Sequence, residues 1–184
     1  KISGFTYIRN GFEYQYPFIA SIKSLLPIVD ELIVVVGDSS DGTREAIVEL
    51  AEIKIKIVDS VWDNSLRSGG TLFAEQSNIG VRNATGDWLI HLQADEVLME
   101  DSRNKILECI EYGNSNDNID GVLFPFLHFW GDYKHIRNTR RTHRFEIRAF
   151  KNNRSILSFR DSQGFRKYAK NKNGEKLKVI KTKA

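Results

Sequence analysis

Two carboxylates in this chain stand where ligand chemistry is easiest to arrange. Asp38 follows the apolar run Leu32 to Val36, and Asp95, within Gln93-Ala94-Asp95-Glu96, follows the run Trp88 to Leu92. Continuous apolar runs of this length read as strands covered on both faces. In an open parallel sheet, ligands gather at the carboxyl ends of the strands. An ionised carboxylate only accepts hydrogen bonds, so Asp38 could select the ring N–H of a pyrimidine base. The simpler reading of its local sequence is a turn cap. A carboxylate at the end of an apolar strand such as Asp95 is costly unless water or a cation meets it. A hard divalent cation is commonly held by one or two carboxylates plus phosphate oxygens, as in nucleotide diphosphate sites. Capping of the next helix is the competing role.

The elements that must carry these groups alternate between β-rich and helical patterns. Strands are expected at Ile2 to Arg9, Glu31 to Gly37, Lys54 to Asp59 and Trp88 to Gln93. Helical spacing of apolar residues marks Tyr16 to Leu26, stopped by Pro27, then Thr43 to Glu52, Thr71 to Ala84 and Ser102 to Tyr112. Asp41 or Ser40 is the expected cap of the second helix. Asp120 to Trp130, Arg144 to Lys151 and Lys176 to Lys181 read as further strands. Such alternation is the signature of βαβ units around a parallel sheet.

Composition fits this picture. The 184 residues are 41% hydrophobic and 28% charged with only 3 prolines, which suits one globular domain and excludes collagen and low-complexity disorder. The lone Cys109 permits no internal disulfide, so a reducing, cytoplasmic setting is expected. No apolar run approaches the roughly 20 residues that cross a bilayer as a helix. No signal peptide is visible, and the start at Lys1 suggests missing upstream residues. Charge is uneven: residues 1–133 carry a balance of −11 and residues 134–184 one of +14. The basic segment could make peripheral contact with an anionic surface or face phosphates, or be a solvated tail. From Arg160 onward its only aromatics are Phe165 and Tyr168, too few for single-strand stacking, so nucleic acid is not an expected partner.

Taken in order, Phe5 to Asn10, Asp30 to Thr43, Asn78, Gly86 to Ile90 and Gln93 to Val97 resemble glycosyltransferase family 2. The resemblance implies an α/β chain of GT-A (Rossmann-like) fold, with a mostly parallel central sheet flanked by helices and a smaller mixed β region on the acceptor side. It implies one catalytic domain over 1–184. Residues 1–100 would be the nucleotide-binding half and 101–184 an acceptor-side half, incomplete at its C-terminal end. The implied reaction is inverting transfer of a hexosyl group from a nucleotide-diphosphate sugar, most simply UDP-linked, to a glycan, lipid-linked or protein acceptor.

Carried over by position, Thr6, with Tyr7 and Arg9 beside it, would lie at the nucleotide and Asp38 would accept from the base. Asn78, Gln93 and Ala94 would contact the nucleotide-sugar, and Asp95 would bind Mn²⁺ or Mg²⁺. Gln93 replaces the first aspartate of the family's DxD motif, which removes one negative charge. Glu96 could support the metal through water. Arg67, with Arg141, Arg144 or Arg166, could grip the diphosphate, and Asp161 is favoured over Asp132 and Glu146 as the general base. His91 reads as a hydrogen-bonded core histidine, while His128, His135 and His143 form no ligand motif. Trp130 and Tyr133 are candidates for stacking on a sugar. Two alternatives remain open: a nucleotide-sugar-binding module without turnover, motivated by Gln93, and, ranked lower, a basic nucleic-acid-binding protein.

Overall fold

A computed structural model describes residues 1–67, 71–139, 142–160, 164–168 and 174–182. Its centre is a seven-stranded sheet in the order β12 (Val179–Lys181), β5 (Gly121–Pro125), β8 (Phe145–Lys151), β4 (Trp88–His91), β1 (Ile2–Ile8), β2 (Glu31–Val36), β3 (Ile55–Asp59). Four of its strands, β1, β2, β3 and β4, are mutually parallel where they pair. Next to them, β8 is antiparallel to both β4 and β5, so β5 runs in the direction of β4. The last strand, β12, lies parallel to β5 at the edge.

The apolar runs explain the layering. Leu32, Ile33, Val34 and Val35 of β2 are each no more than 1% exposed, because both faces of the sheet are covered. Burying each such side chain is worth about 1.5–3 kcal/mol before entropy is counted. On one face, α1 (Phe18–Leu25), α2 (Thr43–Val48) and α4 (Arg103–Asn114) contribute Phe18, Ile22, Ile47, Ile106 and Ile110 to a common core. On the other, Val81 and Ala84 at the C-terminal end of α3 (Leu72–Asn83) pack with Phe5, Leu89 and Phe150. That second core is completed by the small antiparallel sheet of β9 (Ile156–Ser158), β10 (Phe165–Lys167) and β11 (Glu175–Lys176), through Ile156 and Phe165. A separate hairpin joins β6 (Phe129–Trp130) to β7 (Asp132–Ile136).

Some expected bounds shift. The second helix stops at Val48 rather than Glu52, since the chain tightens into turns and Ala51 takes a left-handed conformation at φ 51°. Its N-cap is Gly42 at φ 85°, a backbone shape that favours glycine, while Asp41 accepts the Thr43 N–H at 3.0 Å. The expected strand from Asp120 to Trp130 divides into β5 and β6 after Pro125, which has no N–H to donate. Lys176 to Lys181 likewise divides between β11 and β12 in different sheets. Among the described residues no helix is long and apolar enough to cross a membrane.

Candidate active site

The chain leaves β1 outward through β2 and β3, then returns to β4 on the other side of β1. That reversal opens a crevice at the carboxyl ends of β1 and β4, the place where open α/β sheets bind ligands. It encloses about 670 Å³. Tyr7 and Arg9 line it from the end of β1, and Tyr14 and Tyr16 from the loop that follows. Trp62 and Arg67 line it from the segment joining β3 to α3, Phe73 from the first turn of α3, and Gln93, Ala94 and Asp95 from the loop after β4.

The β4 loop is held from beneath. Arg148, 4% exposed on β8, grips both carboxylate oxygens of Glu96, Nε to Oε2 at 2.9 Å and Nη2 to Oε1 at 2.6 Å. Glu96 Oε2 also accepts the Gln93 N–H at 3.0 Å, and Ser21 Oγ donates to the Gln93 carbonyl at 3.0 Å. Glu96 is therefore committed to Arg148 and the loop backbone, which corrects its expected role as a water-mediated metal support. Asp95 stands next to this clamp, accessible to solvent as a residue but with its carboxyl partly enclosed by neighbouring groups. Neighbouring protein strips hydration from its carboxyl and the adjacent Glu96 carboxylate repels it, so its pKa is raised.

The β1 side is organised by a second ion pair. Arg9 Nη2 meets Asp38 Oδ2 at 3.0 Å, and its guanidinium lies 5.7 Å from the centre of the Trp62 ring. Asp38 Oδ1 accepts the backbone N–H of Trp62 at 3.3 Å. Asp38 thus holds two crevice-lining residues while standing just outside the lining itself. Gly37 makes this possible, since a Cβ there would sit 2.5 Å from Trp62 Nε1. Tyr7 stacks on Phe73 at 6.0 Å and on His91 at 5.9 Å. Arg67 lines the crevice and, among the described residues, makes no ion pair.

Of the residues singled out from sequence, Tyr7, Arg9, Arg67, Gln93, Ala94 and Asp95 meet in this one crevice. Thr6 is buried beneath it at 4% exposure. Asn78 is placed elsewhere: it is buried in α3, where its Oδ1 accepts the Ser158 N–H at 2.8 Å and ties the helix to β9. Arg144 and Arg166 do not line the crevice, and Arg166 lies 3.7 Å from the centre of the Phe159 ring. Asp161 and Arg141 lie outside the described residues. His91 is fully buried, yet among the described residues neither ring nitrogen has a hydrogen-bond partner, unlike the bonded core histidine expected. Among the described residues no three His, Cys, Asp or Glu side chains group to hold a metal. Sequence reading missed Arg148, although a lone arginine inside the apolar strand Glu146 to Phe150 implies a buried carboxylate partner. It also missed the aromatic wall of Trp62 and Phe73, which only the fold assembles.

Comparison with known proteins agrees with this architecture. The family model described as "Glycosyl transferase family 2" matches residues 6–172. An uncharacterized glycosyltransferase of Haemophilus influenzae is 38% identical over 52 residues, 28% of this chain and 17% of that protein. Crystal structures of S. aureus TarS 1-349 in complex with UDP and of Mycobacterium tuberculosis glucosyl-3-phosphoglycerate synthase with UDP superpose with TM-scores of 0.55 and 0.50. Their sequence identities are 19% and 17%, and they cover 72% and 70% of this chain. The chain spans 37% and 45% of those two proteins. The shared architecture is the GT-A fold.

Proposed function

This chain belongs to glycosyltransferase family 2, and from that premise we propose that it transfers a sugar from a nucleotide-diphosphate sugar to an acceptor hydroxyl, as one GT-A domain over 1–184. The observation that carries this reading is the convergence of Arg9, Arg67 and Asp95 on one crevice at the ends of β1 and β4. Arg67, which has no carboxylate partner among the described residues, Arg9, whose charge is shared with Asp38, and the Asp95 carboxylate suit a ligand with a diphosphate and sugar hydroxyls. The UDP bound by both structural neighbours supports a UDP-linked donor. The base would lie beside Thr6 and Tyr7 with Asp38 accepting its ring N–H, and Gln93 and Ala94 would face the ribose and sugar.

The Asp95 carboxylate and the Gln93 amide offer oxygen donors on one wall, a set that fits hard Mn²⁺ or Mg²⁺ with diphosphate oxygens completing the shell. Bound there, the ion would neutralise charge developing on the departing diphosphate. In an inverting transfer the acceptor oxygen forms its bond to the anomeric carbon as the bond to the diphosphate breaks. A base takes the hydroxyl proton, a role assigned to Asp161 from sequence. Arg9 and Arg67 hold the leaving group throughout.

Thermal-shift titration with UDP, GDP, CDP and dTDP, with and without Mn²⁺, tests the binding step. UDP with Mn²⁺ should raise the melting temperature, Asp95→Ala should abolish the metal-dependent part, and Arg67→Ala should weaken UDP about tenfold or more. If no nucleotide stabilises the chain, the crevice reading fails. Release of nucleotide diphosphate from donor sugars then separates turnover from a binding module.

A further inference from the structure

We propose that the groove beside the β6–β7 hairpin binds an acidic glycan, so that the acceptor is a saccharide bearing a phosphate or carboxylate. This rests on the transferase reading, since it names the acceptor of that reaction. Position comes first. β5 runs in the same direction as β4 and lies two places from it, so the hairpin following β5 rises from the sheet edge that bears the crevice. Two strand spacings are about 10 Å. The groove encloses about 400 Å³. Its wall includes Phe126, whose ring lies 5.0 Å from the Arg148 guanidinium, and Arg148 in turn holds Glu96 beside Asp95. Groove and crevice are thus joined through one buried ion pair.

Charge decides the ligand class. Arg9, Arg44, Arg82, Arg103 and Arg148 each pair with a carboxylate. Among the described residues Arg137 and Arg144 do not, and both line the groove. Arg144 reaches only the Asn138 amide oxygen at 3.4 Å, and Arg137 lies 4.8 Å from the centre of the Trp130 ring. Glu146, two residues on from Arg144, sits 3.4 Å from His143 Nδ1, and Asp132 of the hairpin pairs with His135 at 2.7 Å. Two guanidinium groups without acidic partners in one concavity favour a bidentate grip on a phosphate or carboxylate. Trp130, 63% exposed and in contact with Arg137, offers an apolar ring next to that guanidinium, and Tyr133, 82% exposed, stands on the same hairpin. A bilayer would need these groups to share an outward plane, whereas the arginines line a concave groove linked to the crevice through Phe126, Arg148 and Glu96.

Calorimetric titration of the 184-residue chain with tetragalacturonate, glucose 6-phosphate, neutral maltotetraose, and mixed phosphatidylcholine–phosphatidylglycerol vesicles tests the proposal. At least one of the two acidic ligands should bind about tenfold or more tightly than maltotetraose, and which one does identifies carboxylate or phosphate. Arg137→Gln with Arg144→Gln should remove that preference, and the double lysine variant should restore part of it. Equal binding of the neutral saccharide, no acidic binding, an unaffected double variant, or arginine-dependent binding of vesicles alone overturns it. UDP binding, followed on the same samples, should not change in the variants. Loss of UDP binding by the unaltered chain would count against the donor reading and leave the groove result standing.

Discussion

Glu96→Gln is the perturbation whose consequence is best defined by the geometry. The side chains of Arg148 and Glu96 are 5% and 14% exposed, so their ion pair is little screened by water. Their two bonds, at 2.9 and 2.6 Å, have the length of charge-assisted pairs. Neutralising Glu96 leaves a buried guanidinium without a counter-charge, a loss of about 3–5 kcal/mol when one partner of such a pair is removed. A chain of this size is expected to have a total stability on the order of 10–15 kcal/mol, so the variant should still fold. Removing both charges with Glu96→Gln and Arg148→Met should recover much of the loss, because no unpaired ion remains. Urea unfolding of the four proteins, followed by circular dichroism, gives the coupling energy directly, and about 2 kcal/mol or more is expected. The crevice adds an independent reading. Glu96 also holds the Gln93 N–H, so the single variant should weaken UDP binding as the Asp95 loop loosens. A cost of Glu96→Gln below about 1 kcal/mol, the range of an exposed pair, would refute the clamp.

Three other outcomes follow from buried groups. Burial holds the His91 pKa well below its ordinary value, so His91 stays neutral in the fold while it protonates in the unfolded chain near pH 6.5. Its contribution is therefore present above pH 6.5 and lost as the pH falls below it, by up to about 1.4 kcal/mol per pH unit. In His91→Phe that slope should vanish from urea midpoints between pH 7.5 and 5, and an unchanged slope would place the titration elsewhere. Burial would raise the Glu31 carboxyl pKa, but bonds from Lys56, Ser3 and Thr85 outweigh it and hold that pKa far below the ordinary value of 4.5. Glu31→Gln should cost about 2–3 kcal/mol at pH 7, and the gap should close as the pH drops below 4.5, where the unfolded carboxyl gains its proton first. Gly37→Ala should push Trp62 from its seat, at about 1–3 kcal/mol, with altered tryptophan fluorescence and weaker UDP binding.

Much of this was legible in the residues alone, and the reason is that it depends on short-range pattern. The buried run Leu32 to Val36 and the run Trp88 to His91 announce parallel strands whatever surrounds them, because a strand covered on both faces admits few polar residues. Their ends locate Asp38 and Asp95, and the order of motifs along 2–100 carries the family resemblance. Only the tertiary structure decided which side chains meet. Glu96 and Arg148 are 52 positions apart, and their pairing exists because β8 inserts antiparallel beside β4. Asn78 belongs to a helix-to-sheet tie rather than the crevice because α3 packs against β9, a strand the local pattern did not mark. Trp130 and Arg137 come together because a two-strand hairpin folds them over one another. Strand and helix identity follow from periodicity that any window of residues displays, whereas partnership across the sheet is set by strand order, which no local window contains.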